Sequence, residues 1–275
     1  MKKHGFTSKG RFIFWLCIVI LLLLLSLIGP HFIKHDPYEM DLDNVRSAPS
    51  SEYIFGTDKI GRCTFCRLVT GAARSIFSAI LVVIITLTIG TIVGITSGYI
   101  GGRFDTLVMR FVDTIQAFPS TVFTISVAAM LGSGTINCII AMTAISWAGY
   151  ARIARSQVLS LKEKTFVDAA VFSGMNRWQT LIKTILPNSL TPLVVSASSH
   201  VGSAILSFSG LSFLGLGTAP PYPEWGNMLN EGREWLQTAP WTVMYPGFAI
   251  LIVVMIMSMF GDSVNEFINP KKRNQ

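Results

Sequence analysis

Charge is what this sequence has least of. Asp, Glu, Lys and Arg make up 13% of its 275 residues, while 51% are hydrophobic. An ordinary soluble domain carries about 25% charged residues, so a water-facing globule of this size is excluded. Histidine and cysteine are also scarce, at four each. Cys17 and Cys138 fall in apolar stretches, and Cys63 and Cys66 form a single C-x-x-C. That is neither a disulfide framework nor a paired zinc motif. The pair reads as two small residues near a membrane surface, with a disulfide or metal contact outside the membrane as the alternative. No G-x-x-x-x-G-K-[ST] and no H-E-x-x-H occurs, which removes a P-loop nucleotide site and a zincin site. Carboxylates near apolar runs are limited to Asp113, Asp262 and Glu266. A proton-driven carrier would show a buried ionisable relay. If the chain moves a solute, its energy therefore comes from another subunit, and no cofactor is expected.

What is present is apolar length. Several runs exceed the ~18 residues that mark a bilayer span, so the fold class is an all-α polytopic membrane protein. Six transmembrane helices are expected, at roughly 12–33, 76–100, 107–131, 135–153, 188–210 and 244–265. The first is read as an uncleaved span rather than a signal peptide, because its apolar stretch is long and no A-x-A site follows. Pro119 in QAFPS is expected to kink the third. Gly90, Gly94, Gly98 and the small residues between Ser196 and Ala204 permit close helix packing. Residues 1–75 read as an N-terminal span plus an extracytoplasmic loop, and 76–275 as the main transmembrane domain.

The 22 Lys and Arg residues set the orientation. With the N-terminus inside, fifteen fall on inner segments and seven on outer ones. Both termini are therefore expected in the cytoplasm. The net charge of +7 is spread over these loops, facing lipid headgroups, and gives no nucleic-acid footprint.

One inner connection stands out. Residues 154–187 join two spans that a few residues could have joined, and 166–187 read FVDAAVFSGMNRWQTLIKTILP. Phe166 to Gly174 suits a short helix, Gly174 permits a turn or close approach by another backbone, and Arg177 to Leu186 can resume the helix. Pro187 is tolerated in the first turn of the fifth span. A docking surface and a solvated loop both fit this pattern. An enzyme reading also exists, since Gly210-Leu211-Ser212 is a G-x-S and His200 lies on the same span. An intramembrane serine protease needs serine and base in contact. Twelve residues of helix separate these two by about 18 Å.

The chain resembles the permease subunits of bacterial ATP-binding-cassette importers of the dipeptide, oligopeptide and nickel group. Asp168-Ala169-Ala170, Gly174 and Ile185-Leu186-Pro187 are similar to that superfamily's cytoplasmic motif, with Asp for its usual Glu. FGTDKIGR at 55–62, GYIGGRFDTLVMRFVDTIQAFP at 98–119, LSFLGLG at 211–217 and EWGNML at 224–229 extend the match over nearly the whole chain. Cys63 stands where the family has Asp, and Asn265 and Asn269 replace a terminal Arg and Asp.

The resemblance implies a multi-pass protein of the bacterial cytoplasmic (inner) membrane that hydrolyses no ATP itself. Its implied partners are two ATP-binding subunits, a second homologous permease, an extracytoplasmic solute-binding protein and membrane lipid, with no nucleic acid. Asp168, Ala169, Ala170, Gly174, Arg177, Ile185, Leu186 and Pro187 would form the coupling segment read by the ATPase. Phe208 replaces a Glu common in peptide-type members, and Tyr150-Ala151-Arg152 after Trp147 resembles the nickel branch. His200, among small residues within a span, is the candidate pathway residue for a metal, with a histidine hydrogen-bonded to a helix carbonyl or serine as the alternative. The inclination is to nickel or a metal chelate, with di- or oligopeptides as the alternative. Trp225, Trp235, Trp241, Glu224, Glu231 and Glu234 are expected to face the binding protein or to form an interfacial belt. Arg103 and Asp105 are expected to cap the third span and anchor it to headgroups.

Overall fold

A computed structural model describes residues 8–268, leaving Lys2, Lys3, Asn269 and the basic C-terminal tail outside it. Its helices, in chain order, are α1 (Ser8–Ile28), α2 (Thr64–Ile100), α3 (Gly102–Ala117), α4 (Ser120–Leu131), α5 (Thr135–Lys162), α6 (Thr165–Phe172), α7 (Arg177–Thr180), α8 (Leu186–Phe213), α9 (Trp225–Gly232) and α10 (Trp241–Ile268). Among the described residues there is no β-strand.

Five helices are long and apolar enough to cross a membrane, or six spans if α3 and α4 are counted as one. The expected third span is thus a broken one, with α3 and α4 meeting at 87°. Pro119 does more than kink it. The pyrrolidine ring disfavours helical geometry at the preceding residue, and Phe118 is extended, at φ −81° and ψ 140°. The other apolar runs sit inside longer helices. At 37 residues α2 is ~55 Å long and runs unbroken across position 75, where the sequence reading divided the chain.

The tightest seam is α2 on α5. On α2, Gly90, Gly94 and Gly98 face Trp147, Ala151, Ala154 and Val158 of α5. A Cβ on Gly90 would lie 2.5 Å from the Trp147 carbonyl oxygen, and one on Gly94 would strike the Ala151 carbonyl. The contact is with backbone, so no rotamer change relieves it. Gly94→Leu is expected to force the helices apart and cost at least ~1–3 kcal/mol, read as a lower melting temperature in detergent. Gly210→Ala on α8, with nothing within 4 Å of the added carbon, is its unperturbed control.

Beyond one end of the bundle, residues 32–63, the first turns of α2 and α9 form a polar cap around a buried ion cluster. Arg62 Nε donates to Asp58 at 2.6 Å, and Arg62 and Arg67 each donate to Glu231 at 2.9 Å. Arg67 also donates to the Pro221 carbonyl at 3.3 Å. At the other end the start of α1 meets the end of α10, where Arg11 pairs with Glu266 at 2.8 Å and Phe12 stacks on Phe267.

Three expectations change here. Asp105 is no cap. It is buried and accepts two bonds of 2.6 Å from Arg155 and one of 2.7 Å from Ser97, tying α2, α3 and α5 together. Trp225 and Glu224 face inward. Glu224 is fully buried, accepting from Ser75 and from the Gly226 and Asn227 amides, and burial raises its pKa. Trp241 donates to the Thr57 carbonyl at 3.0 Å, Arg46 stacks over Trp235, and Glu231 is in the ion cluster. Of the outer residues expected to meet a partner or the interface, only Glu234 has neither a hydrogen-bond nor a ring partner among the described residues.

Candidate functional site: the segment between α5 and α8

α5 does not stop at the membrane edge but carries on to Lys162. Lys162 Nζ donates to the carbonyls of Gly98 and Tyr99, neutralising the end of α2 where carbonyls lack helical partners. After a two-residue turn α6 begins. It is anchored through Val167, which is buried, while Asp168 and Ala169 are exposed.

Gly174 closes α6. The Gly174 amide donates to Val171 at 3.0 Å and the Met175 amide to Ala170 at 3.3 Å. Together these make a Schellman cap, whose residue after the C-cap adopts left-handed geometry. Gly174 has φ +86°, and a Cβ added there would meet nothing within 4 Å. Its role within the chain is therefore the turn, not a close backbone approach. Any L residue there meets strain of about 1–2 kcal/mol, least for Asn. Gly174→Asn is expected to keep most transport and Gly174→Val to lose most of it at equal membrane abundance. Equal loss by both would point to bulk rather than backbone.

α7 starts on a reciprocal cap that the sequence reading missed. Asn176 Oδ1 accepts from the Gln179 amide at 2.9 Å, and Gln179 Oε1 from the Asn176 amide at 3.0 Å. The N-x-x-Q spacing was its visible signal. Helix then continues without a loop. A π-turn over Leu181–Ile185 joins α7 to α8. Pro187 lacks an N–H and crowds the carbonyl four residues back, and the wider turn just before it accommodates both effects. Ile185 is fully buried, Leu186 half-buried and Pro187 exposed.

The segment is tied to the bundle as a platform. Tyr99 on α2 donates to the Arg177 carbonyl at 2.9 Å, and Leu181 and Ile185 are in the main core. It exposes two large aromatic side chains, Phe172 at 88% and Trp178 at 68%, among the exposed polar residues Asp168, Asn176, Arg177 and Gln179. The Arg177 side chain is exposed, and neither it nor Asp168 makes an ion pair among the described residues.

Residues 90–274 match the family of binding-protein-dependent transport system inner membrane components. The chain belongs to that family. It is 38% identical over 274 residues to the dipeptide transport system permease protein DppC of Alkalihalophilus pseudofirmus, covering 100% of this chain and 88% of that one. It is 37% identical to the oligopeptide transport system permease protein OppC of Haemophilus influenzae (99% and 88% covered). It is 34% identical to the glutathione transport system permease protein GsiD of Pectobacterium atrosepticum (100% and 89% covered). The chain is thus an ATP-binding-cassette importer permease, a multi-pass protein of the cytoplasmic membrane and a transport subunit rather than an enzyme.

This permease keeps His200 and Ser212 apart. α8 is unbroken between them, and Ser212 is buried while His200 is exposed on another face. His200 Nδ1 pairs with the Tyr150 hydroxyl at 3.0 Å, a partner on α5 rather than the helix carbonyl or serine that a core histidine would take. The two border an open hollow of about 220 Å³ with Thr86, Ser146, Ser203 and Ser207. No second imidazole, thiol or carboxylate lines it. Hydroxyls, one imidazole and the Met142 thioether, beside apolar Val82, Val83 and Ala204, are a poor ligand set for nickel, and the relatives' names do not support a metal solute either.

Proposed function

We propose that this chain forms one wall of a small-peptide import pathway and is driven by ATPase subunits gripping the platform from Thr165 to Thr180. The observation that carries the coupling role is mechanical. Exposed Trp178 sits on α7, which runs through Leu181–Ile185 directly into α8, and exposed Phe172 ends α6 across the Gly174 turn from it, so a push on α7 is passed straight to a span. Asp168 and Arg177 supply charge at the same surface, and Gly174 holds the angle between the two short helices. The Lys and Arg bias supports a cytoplasmic platform and an ion-paired cap outside. A second permease would supply the facing wall, two ATPases the stroke and a binding protein the solute. The boundary between an N-terminal unit and the transmembrane domain is best set before Thr64, where α2 begins.

The peptide reading is supported by relatives named for dipeptides, oligopeptides and glutathione, and by the neutral hydroxyl-rich hollow at His200. Polar side chains exposed at bilayer depth belong to a water-filled path rather than a lipid face. Such a path lets a zwitterion pass without holding it. The test is uptake of labelled dipeptide and labelled nickel in a strain lacking this chain and in its complemented parent. Restored dipeptide uptake with unchanged nickel uptake is the expected outcome, and the reverse would overturn the solute assignment. His200→Ala is expected to lower dipeptide uptake severalfold.

A further inference from the structure

Cys63 and Cys66 are the sequence motif that transport leaves unused. Cys63 is the N-cap of α2, and its Sγ accepts from the Cys66 amide at 3.3 Å. N-cap and the third residue beyond it are the two positions that a capping box joins. The Cys66 side chain beside it and burial push the Cys63 thiol well above the usual thiol range, while the Cys63 side chain pulls the Cys66 thiol down to about 6. Sulfur is a weak acceptor, so a thiol cap on its own does its job poorly. Tyr53, Ile33 and Phe65 pack around the pair, with 4% of Cys63 and 1% of Cys66 left exposed. Cys63 borders an open hollow of about 390 Å³ beside Asp36 and Glu39. Among the described residues no group of three or more His, Cys, Asp or Glu is placed to hold a metal ion.

We infer that Cys63 and Cys66 close a disulfide on the extracytoplasmic face of the transporter. The inference rests on the orientation given under Proposed function, because exported segments meet an oxidising compartment. The oxidant is a protein disulfide donor. One cysteine thiolate attacks a donor sulfur and forms a mixed disulfide, and the second thiolate then displaces the donor. One S–S bond forms here and one breaks in the donor, which leaves as a dithiol carrying the two electrons and two protons. Oxidation belongs to the stage before Tyr53 and Phe65 close over the pair, and the same burial then shields the bond from reductants. Because so short a loop removes little chain entropy, the bond's effect is local. It fixes the first turn of α2, the turn that presents Arg67 to Glu231.

The test traps intact cells in acid, denatures the full chain and alkylates it without reductant before peptide mass measurement. The expected result is a Cys63–Cys66 peptide that takes no reagent and is lighter by two hydrogens than its reduced form, while Cys17 and Cys138 are alkylated. Alkylation of both Cys63 and Cys66 overturns the inference. A separate Ser50→Cys chain, exposed in the same loop, reports orientation with a membrane-impermeant maleimide on whole cells. Labelling there alongside a reduced pair overturns the disulfide alone. No labelling and a reduced pair overturn both the disulfide and the orientation.

Discussion

Glu231→Ala is expected to destabilise the permease by about 3–5 kcal/mol, the usual cost of removing one partner from a buried ion pair. Two guanidinium groups converge on this carboxylate at 2.9 Å each, from Arg62 and Arg67, whose side chains are 3% and 1% exposed. Asp58 still neutralises Arg62 at 2.6 Å but reaches Arg67 only at 3.6 Å, so Arg67 bears most of the loss. The outer cap should loosen first, because Glu231 ties the end of α9 to the first turn of α2, while Trp225 and Glu224 hold its start to Leu68 and Ser75. Thermal unfolding in detergent, with proteolysis of residues 32–63 as a second readout, checks it. Glu231→Gln keeps an acceptor without the charge and should fall between wild type and Ala. A melting temperature for Glu231→Ala within a degree or two of wild type would mean that water, not Glu231, solvates Arg67.

Phe172→Glu together with Trp178→Glu is expected to abolish import while leaving the fold intact. Both side chains are mostly exposed, so their replacement removes little packing within this chain. Aromatic anchors at interfaces commonly contribute about 2 kcal/mol or more, roughly a 30-fold change in affinity each. Two such losses plus two added charges should uncouple the ATPase. Uptake is expected to fall by at least tenfold at unchanged membrane abundance, and ATP hydrolysis by the purified complex should no longer respond to loaded binding protein. Normal uptake would show that the platform's two exposed aromatic side chains touch only lipid or solvent.

The parts of the fold that were legible in the sequence are those governed by local rules. Apolar length located the spans, and Gly90, Gly94 and Gly98 announced a close helix contact before α5 was known as the partner. Gly174 was readable as a turn, since a glycine between two short helical patterns has few other uses. Other features depended on residues far apart in the chain. Arg62 and Glu231 are separated by 169 positions, and nothing local pairs them. Asp105 lies in the first turn of α3, close to where a cap would sit, yet its partner is Arg155, 50 residues on. The start of α2 was missed because Thr64–Arg74 is too polar for a span, although it is helical and mostly covered by the outer cap. Pro119 revealed a disturbance but not its size. The Asn176–Gln179 cap was visible and went unread.

His200 shows the other limit. Its place inside a span marked it as functional, but only the Tyr150 contact and the hydroxyls around it give its chemistry. The inclination to metal-type members rested on Phe208, Tyr150-Ala151-Arg152 and His200, whereas the hollow around His200 holds no second imidazole, thiol or carboxylate.

The central claim is that an ATPase drives this permease through the platform between α5 and α8. A photo-crosslinking amino acid at Phe172, activated in transporting membranes, tests it most directly. The account predicts an adduct joining this chain to an ATP-binding subunit, with a yield that changes between nucleotide-free and ATP-trapped states. Transport that proceeds with adducts to lipid alone, in both states, would contradict it.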